Sequence, residues 1–302
     1  MPSSLIGIGI SALNTARAGL STTAHNISNA GTPGFSRQAT VQSAPAPQFT
    51  GAGFLGRGVQ VESVRRSYNS FLDAQLREAT AQAAHLDRYH DQVSQIDNLL
   101  ADPATGLTPA LSGFFAGVNT AAANPGDAPA RQVLLSAGQS LAGRFRDLAA
   151  RLDQMRQGAN TEINATVVEI NTQSAKVAQL NDQIRLAQGS GQPPNDLLDQ
   201  RDALLRDLAG NIRINVIPLT DGTLNAFLPN GQALVLGSQS LALSVAADPA
   251  NAANLTIGIG AGSNFRPMRE SDLPVAISAA CWHFAPRRSM AQKTRWAVLP
   301  PG

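Results

Sequence analysis

An apolar stripe that runs from Leu5 to Ile27 and then meets a cluster of helix breakers constrains this chain more than any other feature. Ile6, Ile10, Leu13, Leu20, Ala24 and Ile27 recur at alternating steps of four and three, with Arg17 as the one interruption. That is the spacing with which one helix packs lengthwise against another. Asn29, Gly31, Pro33 and Gly34 then follow within six residues. They supply positions tolerant of the left-handed region and a residue without a backbone donor, so the helix has to stop there. The reading is of a helix that needs a helical partner, ending in a hinge.

The wording of the segment adds to its spacing. Ala12, Leu13, Leu20, Asn26-Ile27-Ser28-Asn29 and Thr32-Pro33-Gly34-Phe35-Ser36-Arg37-Gln38 closely resemble the N-terminal signature shared by bacterial flagellar axial proteins of the rod, hook and hook-associated kinds. Phe35 stands where that family usually has Tyr, which keeps the ring and loses a hydroxyl. The resemblance marks Asn26, Asn29, Thr32, Pro33, Gly34, Phe35 and Arg37 as motif and hinge. It also implies that the N-terminal helix is completed by a C-terminal helix in the inner tube of the axial structure, with Ile6, Ile10, Leu13, Leu20 and Ile27 as the packing positions.

Further along, the helical stripe returns. Leu72, Leu76, Ala79, Ala83, Leu86, Val93 and Leu100 predict one long helix over 71–100, closed by Asp102-Pro103, Gly106 and Pro109. A shorter helix is expected through Leu111, Phe114, Phe115 and Val118, as far as Asn124-Pro125-Gly126-Asp127. Leu134, Leu141, Phe145, Leu148, Leu152 and Met155 form another seam, continued after Gly158 by Ile163, Val167, Ile170, Val177, Leu180 and Ile184. Such lengths fit antiparallel rods at shallow crossing angles.

Asn195-Asp196-Leu197-Leu198-Asp199-Gln200-Arg201-Asp202 opens the next helix after the break at 189–194. Asn195 is read as its N-cap, Asp196 and Asp199 as complements to its positive start, and Gly210 as its end. At this distance from the N-terminal signature, that phrase resembles the hook-associated protein 1 family in particular, since rod and hook proteins lack such a long helical insert.

Strands are expected in two places. Residues 39–66 carry Gly51, Gly53, Gly56 and Gly58 ahead of the alternating Val59 to Val64, which reads as an extended loop and a short strand, in either a flexible linker or a folded connector. After Asn211 come apolar runs at 212–217, 224–228, 233–236, 241–245 and 255–259, with Asp221-Gly222 and Asn230-Gly231 as hairpin signals.

Residues 275–302 read differently from the rest. Trp282, Trp296, Cys281 and His283 gather there, so both tryptophans and the only cysteine are in this segment. Read one base earlier with permitted codons, Val275 to Ala285 spells Gly-Gly-Asn-Leu-Gly-Gly-Leu-Leu-Ala-Phe-Arg, and Lys293 to Pro300 spells Asn-Ala-Leu-Gly-Arg-Leu-Ala. Both resemble the corresponding stretches of the hook-associated family. The segment is therefore expected to be out of frame after a shift near codon 275, and this copy is expected to be defective.

The formal charge of +2 carries little information about partners. Taking Arg287, Arg288, Lys293 and Arg295 out of the 23 basic side chains leaves 19, against 21 acidic ones, all of which lie in the body. A slightly acidic body without a basic stripe argues against nucleic-acid binding. No apolar run is long enough for a membrane span, and the first sixteen residues hold no Lys or Arg of the kind that leads a cleaved signal. The resemblance implies export, unfolded and uncleaved, through a type III apparatus. His85 and His90, five apart on a helix, lie about 140° around its axis and do not share a metal. Asp196, Asp199 and Asp202 read as exposed helix-start carboxylates. No nucleotide loop, serine elbow or Cys/His couple is present, so neither enzyme activity nor a cofactor or metal is expected.

The expected fold is mainly α with a β-rich C-terminal part. The blocks are an N-terminal helix and hinge (1–35), a connector (36–70), a long-helix bundle (71–210), an incomplete β domain (211–274) and the aberrant tail (275–302). The expected function is that of a structural, secreted flagellar component that joins hook to filament by self-assembly. Its implied partners are copies of itself in a ring, the hook protein, other hook-associated proteins and an export chaperone. The alternatives are another axial protein, hook or distal rod, and an intracellular coiled-coil adaptor.

Overall fold

In a computed structural model, which describes residues 3–49, 51–101, 106–189, 191–249, 251–260 and 262–268, the N-terminal stripe forms helix α1 (Ser3–Ser28). The expected out-of-frame tail lies outside the described residues. Helix α1 packs on a ribbon made by β1 (Gln38–Ser43) and β4 (Gln60–Arg66). These pair antiparallel from Gln38↔Arg66 to Ser43↔Gln60, with a bulge at Val41/Gln42. At the far end β2 (Gln48–Phe49) and β3 (Phe54–Leu55) form a small hairpin. The expected loop before the Val59–Val64 strand is therefore half of a ribbon. Its first strand is masked in sequence by the Pro and Gly that follow and by the bulge, which breaks the alternation.

The ribbon turns back onto α1 at Gly58, whose φ is +90°. A Cβ there would overlap Ser11 Oγ, and that hydroxyl accepts the Val59 N–H at 3.3 Å. Gly58→Ala is expected to cost about 1–3 kcal/mol through φ strain and the displaced helix. Gly56→Ala, with open space around it, should change stability by less than about 0.5 kcal/mol, and urea titration of the two variants beside wild type reads both effects.

Helix α2 (Ser70–Ala101) forms as expected, but its stripe faces outward. Leu72, Leu76, Leu86 and Val93 are exposed, and among the described residues of the helix the buried ones are Asp73 and Ala81. Arg77 pairs with Asp73 one turn away. Periodicity establishes that a stripe exists; which face the rest of the chain covers is a separate, tertiary matter.

Helix α3 (Leu107–Ala123) meets α4 (Ala128–Gln188) closely at Gly117, where a Cβ would lie 3.3 Å from Leu134 Cα. The two seams read on either side of Gly158 are one helix of 61 residues, roughly 90 Å long at 1.5 Å per residue. Along its first half Leu134, Leu141, Leu148, Leu152 and Met155 are half-buried and Phe145 is exposed. The second half enters a true core.

The described residues divide into two compact units, one within 3–82 and 168–243 and the other within 83–167 and 244–268. In the first, Ile170, Val177 and Ile184 are fully buried, as are Leu205 and Leu208 of α5 (Asn195–Asn211). Its sheet runs β5 (Asn215–Pro218), β6 (Leu224–Phe227), β7 (Ala233–Leu236), β8 (Gln239–Ser240), antiparallel in that order. Leu228, Leu234 and Val235 are buried with them. In the second unit Ile163, Val167, Ile257 and Met268 are buried. The remaining three-stranded sheet has the order β11 (Arg266–Pro267), β10 (Asn251–Ile259), β9 (Leu243–Asp248). The mainly α chain with β structure toward its C-terminal part is as expected. The 212–217 run becomes strand only from Asn215, and the 241–245 run only from Leu243, the start of β9.

Candidate functional site

The two quoted motifs meet in space. Helix α1 ends where Asn29 N–H donates to the His25 carbonyl at 3.0 Å, and the chain turns with Thr32 N–H on the Asn29 carbonyl and Phe35 N–H on the Thr32 carbonyl. Of the expected left-handed positions only Gly34 is used, with φ +83°. Its missing Cβ admits Ala203 of α5, which a Cβ would meet at 3.1 Å. The turn therefore depends on one glycine, for conformation and for close approach.

Asn26 fixes the exit of this hinge. Its amide donates to the Gln38 carbonyl and its oxygen accepts the Gln38 N–H, both at 2.8 Å, so one side chain continues the backbone pairing that the helix end interrupts. Gln38 then donates through Nε2 to Asp196 at 2.7 Å, and Asp196 also faces His25 Nε2 at 3.2 Å. Phe35 packs edge-on to His25 with ring centres 5.4 Å apart. Thr32 donates to the Asn29 side chain, whereas Pro33 and Arg37 are exposed. Arg37 offers its carbonyl to Ser67 N–H at 2.7 Å. Asn26→Ala is expected to leave the Gln38 peptide unpaired and to speed exchange of that amide by about tenfold or more, as a lost hydrogen bond of ~1–2 kcal/mol implies. Hydrogen-exchange mass spectrometry of the 36–43 segment reads it.

The α5 motif corrects two sequence readings. Asn195 is the first helical residue and not the cap: Pro194 occupies the cap position, without a side-chain bond. The Asn195 amide is spent on the Val64 carbonyl at 2.7 Å and Gln38 Oε1 at 3.3 Å. The helix also continues through Gly210 to Asn211. The reading of Asp199 and Asp202 as exposed carboxylates is overturned as well. Both are buried at 6% and 5% exposure, and both accept from Arg66 Nη1 of β4, at 2.9 and 2.5 Å. Asp199 takes the Ser36 N–H at 2.8 Å in addition. Tyr68 lies under the guanidinium, 4.1 Å from Cζ to ring centre. Burial by itself would lower the Arg66 pKa, but Asp202 and Asp199 outweigh it and hold the group above its ordinary value.

Residues 25–38 and Arg66 thus form a clasp with 195–202; Arg201 is spent elsewhere, donating to Asn181 Oδ1 at 3.0 Å and the Gly222 carbonyl at 2.7 Å. Leu197 and Leu198 are half-buried, and Gln200 is exposed. Asn181 and two other asparagines of α4, none singled out in the sequence, hold strands through both atoms of the amide. Asn160 bonds Ala253 and Leu255, Asn171 bonds Leu243, and Asn181 bonds Leu224 and Gly237. A recurrent Asn at ten- or eleven-residue intervals is the one sequence signal that points to them.

The clasp leaves the α1 stripe uncovered. Ile6, Ile10, Leu13, Leu20 and Ile27 are 55–72% exposed. The helix docks on the ribbon by its opposite face, where Thr15 is buried and Ile8, Ser11, Ala18, Thr22 and Asn26 are half-buried. Among the described residues no group of three or more His, Cys, Asp or Glu is placed to hold a metal, and no helix is long and apolar enough to cross a membrane.

A helix fastened by its small and polar face, with its strongest apolar face turned out, presents an uncovered apolar stripe at helix-packing spacing. Comparisons with known proteins give its family. Residues 93–275 match the flagellar hook-associated protein FlgK helical domain, and residues 6–35 match the flagella basal body rod protein family. Flagellar hook-associated protein 1 of Salmonella typhimurium is 38% identical over 252 residues, covering 82% of this chain and 46% of the relative. The Escherichia coli protein of that name is 35% identical over 257 residues, covering 84% and 47%. The Bacillus subtilis one is 33% identical over 213 residues, covering 68% and 42%. The solved structure of the flagellar hook junction protein FlgK from Burkholderia pseudomallei superposes with a TM-score of 0.63 at 31% identity, over 70% of this chain and 38% of that one. The chain belongs to the FlgK family of flagellar hook-associated proteins, and spans about half the length of the relatives it matches.

Proposed function

We propose that the chain is a structural piece of the bacterial flagellum that joins hook to filament by self-assembly, and that it catalyses no reaction. The observation that carries this reading is the outward stripe Ile6, Ile10, Leu13, Leu20 and Ile27, mounted on the body of a FlgK-family chain by the clasp of residues 25–38 with 195–202. Burying each of those side chains is worth roughly 1.5–3 kcal/mol, a driving force that water leaves unused. In this reading the partners are further copies in a ring, the hook protein and other hook-associated proteins, reached after export with the help of a chaperone, and the working location is outside the cell. The motif residues at 26–37 and 195–202 act as the mount, and the stripe acts as the assembly surface.

Fractionation of a flagellated strain expressing the chain tests this. Recovery in purified hook–basal bodies or the culture medium is expected; retention only in the cytosol supports the intracellular adaptor instead. The out-of-frame reading of 275–302 has its own test in resequencing codons 265–302 and beyond. A one-base change that opens a long downstream frame supports it, and a downstream sequence that stays uncoding in every frame contradicts it.

A further inference from the structure

Arg17 occupies the one seam position of α1 that is not apolar, and it does so at the middle of the stripe, between Leu13 and Leu20. It is exposed, as its seam neighbours are, so it belongs to the assembly face and not to the face that rests on the ribbon. No carboxylate among the described residues forms an ion pair with it. The first 61 residues contain no Asp or Glu; the first acid in the chain is Glu62.

These facts restrict what can lie on the stripe. In a parallel, in-register pair of α1 helices the two Arg17 side chains would meet. In an antiparallel pair that overlaps the whole stripe they would sit within about one turn of each other, because Arg17 is central. Neither helix could answer the charges, and a buried cation without a counter-charge is strongly unfavourable. A single polar residue at such a position specifies pairing at some cost in stability.

We propose that Arg17 selects the partner of the stripe: α1 rejects a second α1 and takes an amphipathic helix whose own seam carries a carboxylate opposite Arg17. This rests on the reading of the stripe as a helix-packing surface. The partner is thus a different helix, acidic at its centre and apolar on either side.

The chain itself supplies the probe. In Arg17→Glu, α1 becomes an amphipathic helix with a central carboxylate, and because residue 17 is exposed the body should keep its circular dichroism spectrum and urea midpoint. Sedimentation equilibrium would compare the wild-type chain, the variant and their equimolar mixture, each repeated with Leu13→Ser/Leu20→Ser to define pairing through the stripe. The mixture is expected to pair at least tenfold more tightly than either chain alone, with the advantage shrinking as salt rises and vanishing in the Ser background. Arg17→Leu is expected to self-associate. Wild type pairing with itself through the stripe as tightly as with the variant would overturn the role of Arg17 while leaving the packing surface intact. No stripe-dependent pairing in the mixture or in Arg17→Leu would overturn the packing surface itself, and the inference with it.

Discussion

Replacing Arg66 by alanine is expected to destabilise the unit that carries the clasp by about 3–5 kcal/mol, the range for removing one partner of a buried charge set. Its side chain is 11% exposed, and those of Asp199 and Asp202 are 7% exposed, so solvent screening takes away little of the effect. Without the guanidinium, two carboxylates one helical turn apart remain in a site with little water. Asp199 keeps the Ser36 N–H, and Asp202 loses its ion-pair partner, keeping only the longer-range charges of Arg77 and Arg201. The clasp should then open at its α5 end, freeing the segment after α1. Arg66→Lys should be intermediate, since it restores charge but not the planar stack on Tyr68. Arg66→Ala combined with Asp199→Asn and Asp202→Asn should recover part of the loss by removing the uncompensated charges. Urea denaturation of the four proteins decides this; a loss below about 1 kcal/mol for Arg66→Ala would show that the cluster is solvated and contributes as a surface pair does.

Asn181→Ala should be of similar size, about 3 kcal/mol or more, although it removes no charge. Asn181 is completely buried. It donates to the Leu224 and Gly237 carbonyls at 2.8 and 2.7 Å, accepts the Leu224 N–H at 3.3 Å, and accepts from Arg201 at 3.0 Å. Alanine leaves four groups short of a partner at the join of α4, α5 and the β5–β8 sheet. One of them is the Arg201 guanidinium, whose pKa burial already holds below its ordinary value. A cavity the size of the amide adds to the loss. Asn181→Asp should be less severe, because it keeps an acceptor for Arg201 while losing both donated bonds. A thermal melt followed by both far-UV dichroism and tryptophan-independent calorimetry would show the midpoint fall. An Asn181→Ala midpoint within a degree or two of wild type would contradict the placement of this residue as the sheet's anchor.

The parts of this architecture that sequence exposes are those with a period. Leu72 to Val93 and Leu134 to Ile184 announce helices because a stripe at 3.6 residues is a local property. The same stripes do not announce what covers them: on α2 nothing described does, and on α4 only the second half enters a core. Strand β1 is hidden because its partner lies beyond the Gly-rich segment and a bulge interrupts its alternation. The clasp is the least legible feature. Ser36 and Asp199 are 163 residues apart, and Asn, Gln and Asp near a helix start are explained adequately by local capping. That local explanation is wrong for Asn195 and incomplete for Asp199 and Asp202, because Arg66, on a strand read only as connector, supplies the long-range partner. The family resemblance marks both motifs but does not indicate that they touch.

The claim on which the rest depends is that the α1 stripe is covered in the assembled flagellum and bare in the isolated chain. Thiol reactivity at Leu13→Cys, in a Cys281→Ser background, measures it directly, using the free protein and purified hook–basal bodies that contain it. Rapid labelling of the free chain and at least tenfold slower labelling in the assembled particles is the predicted result. Equal reactivity in both would contradict it, showing that the helix enters the structure with its apolar face still in water.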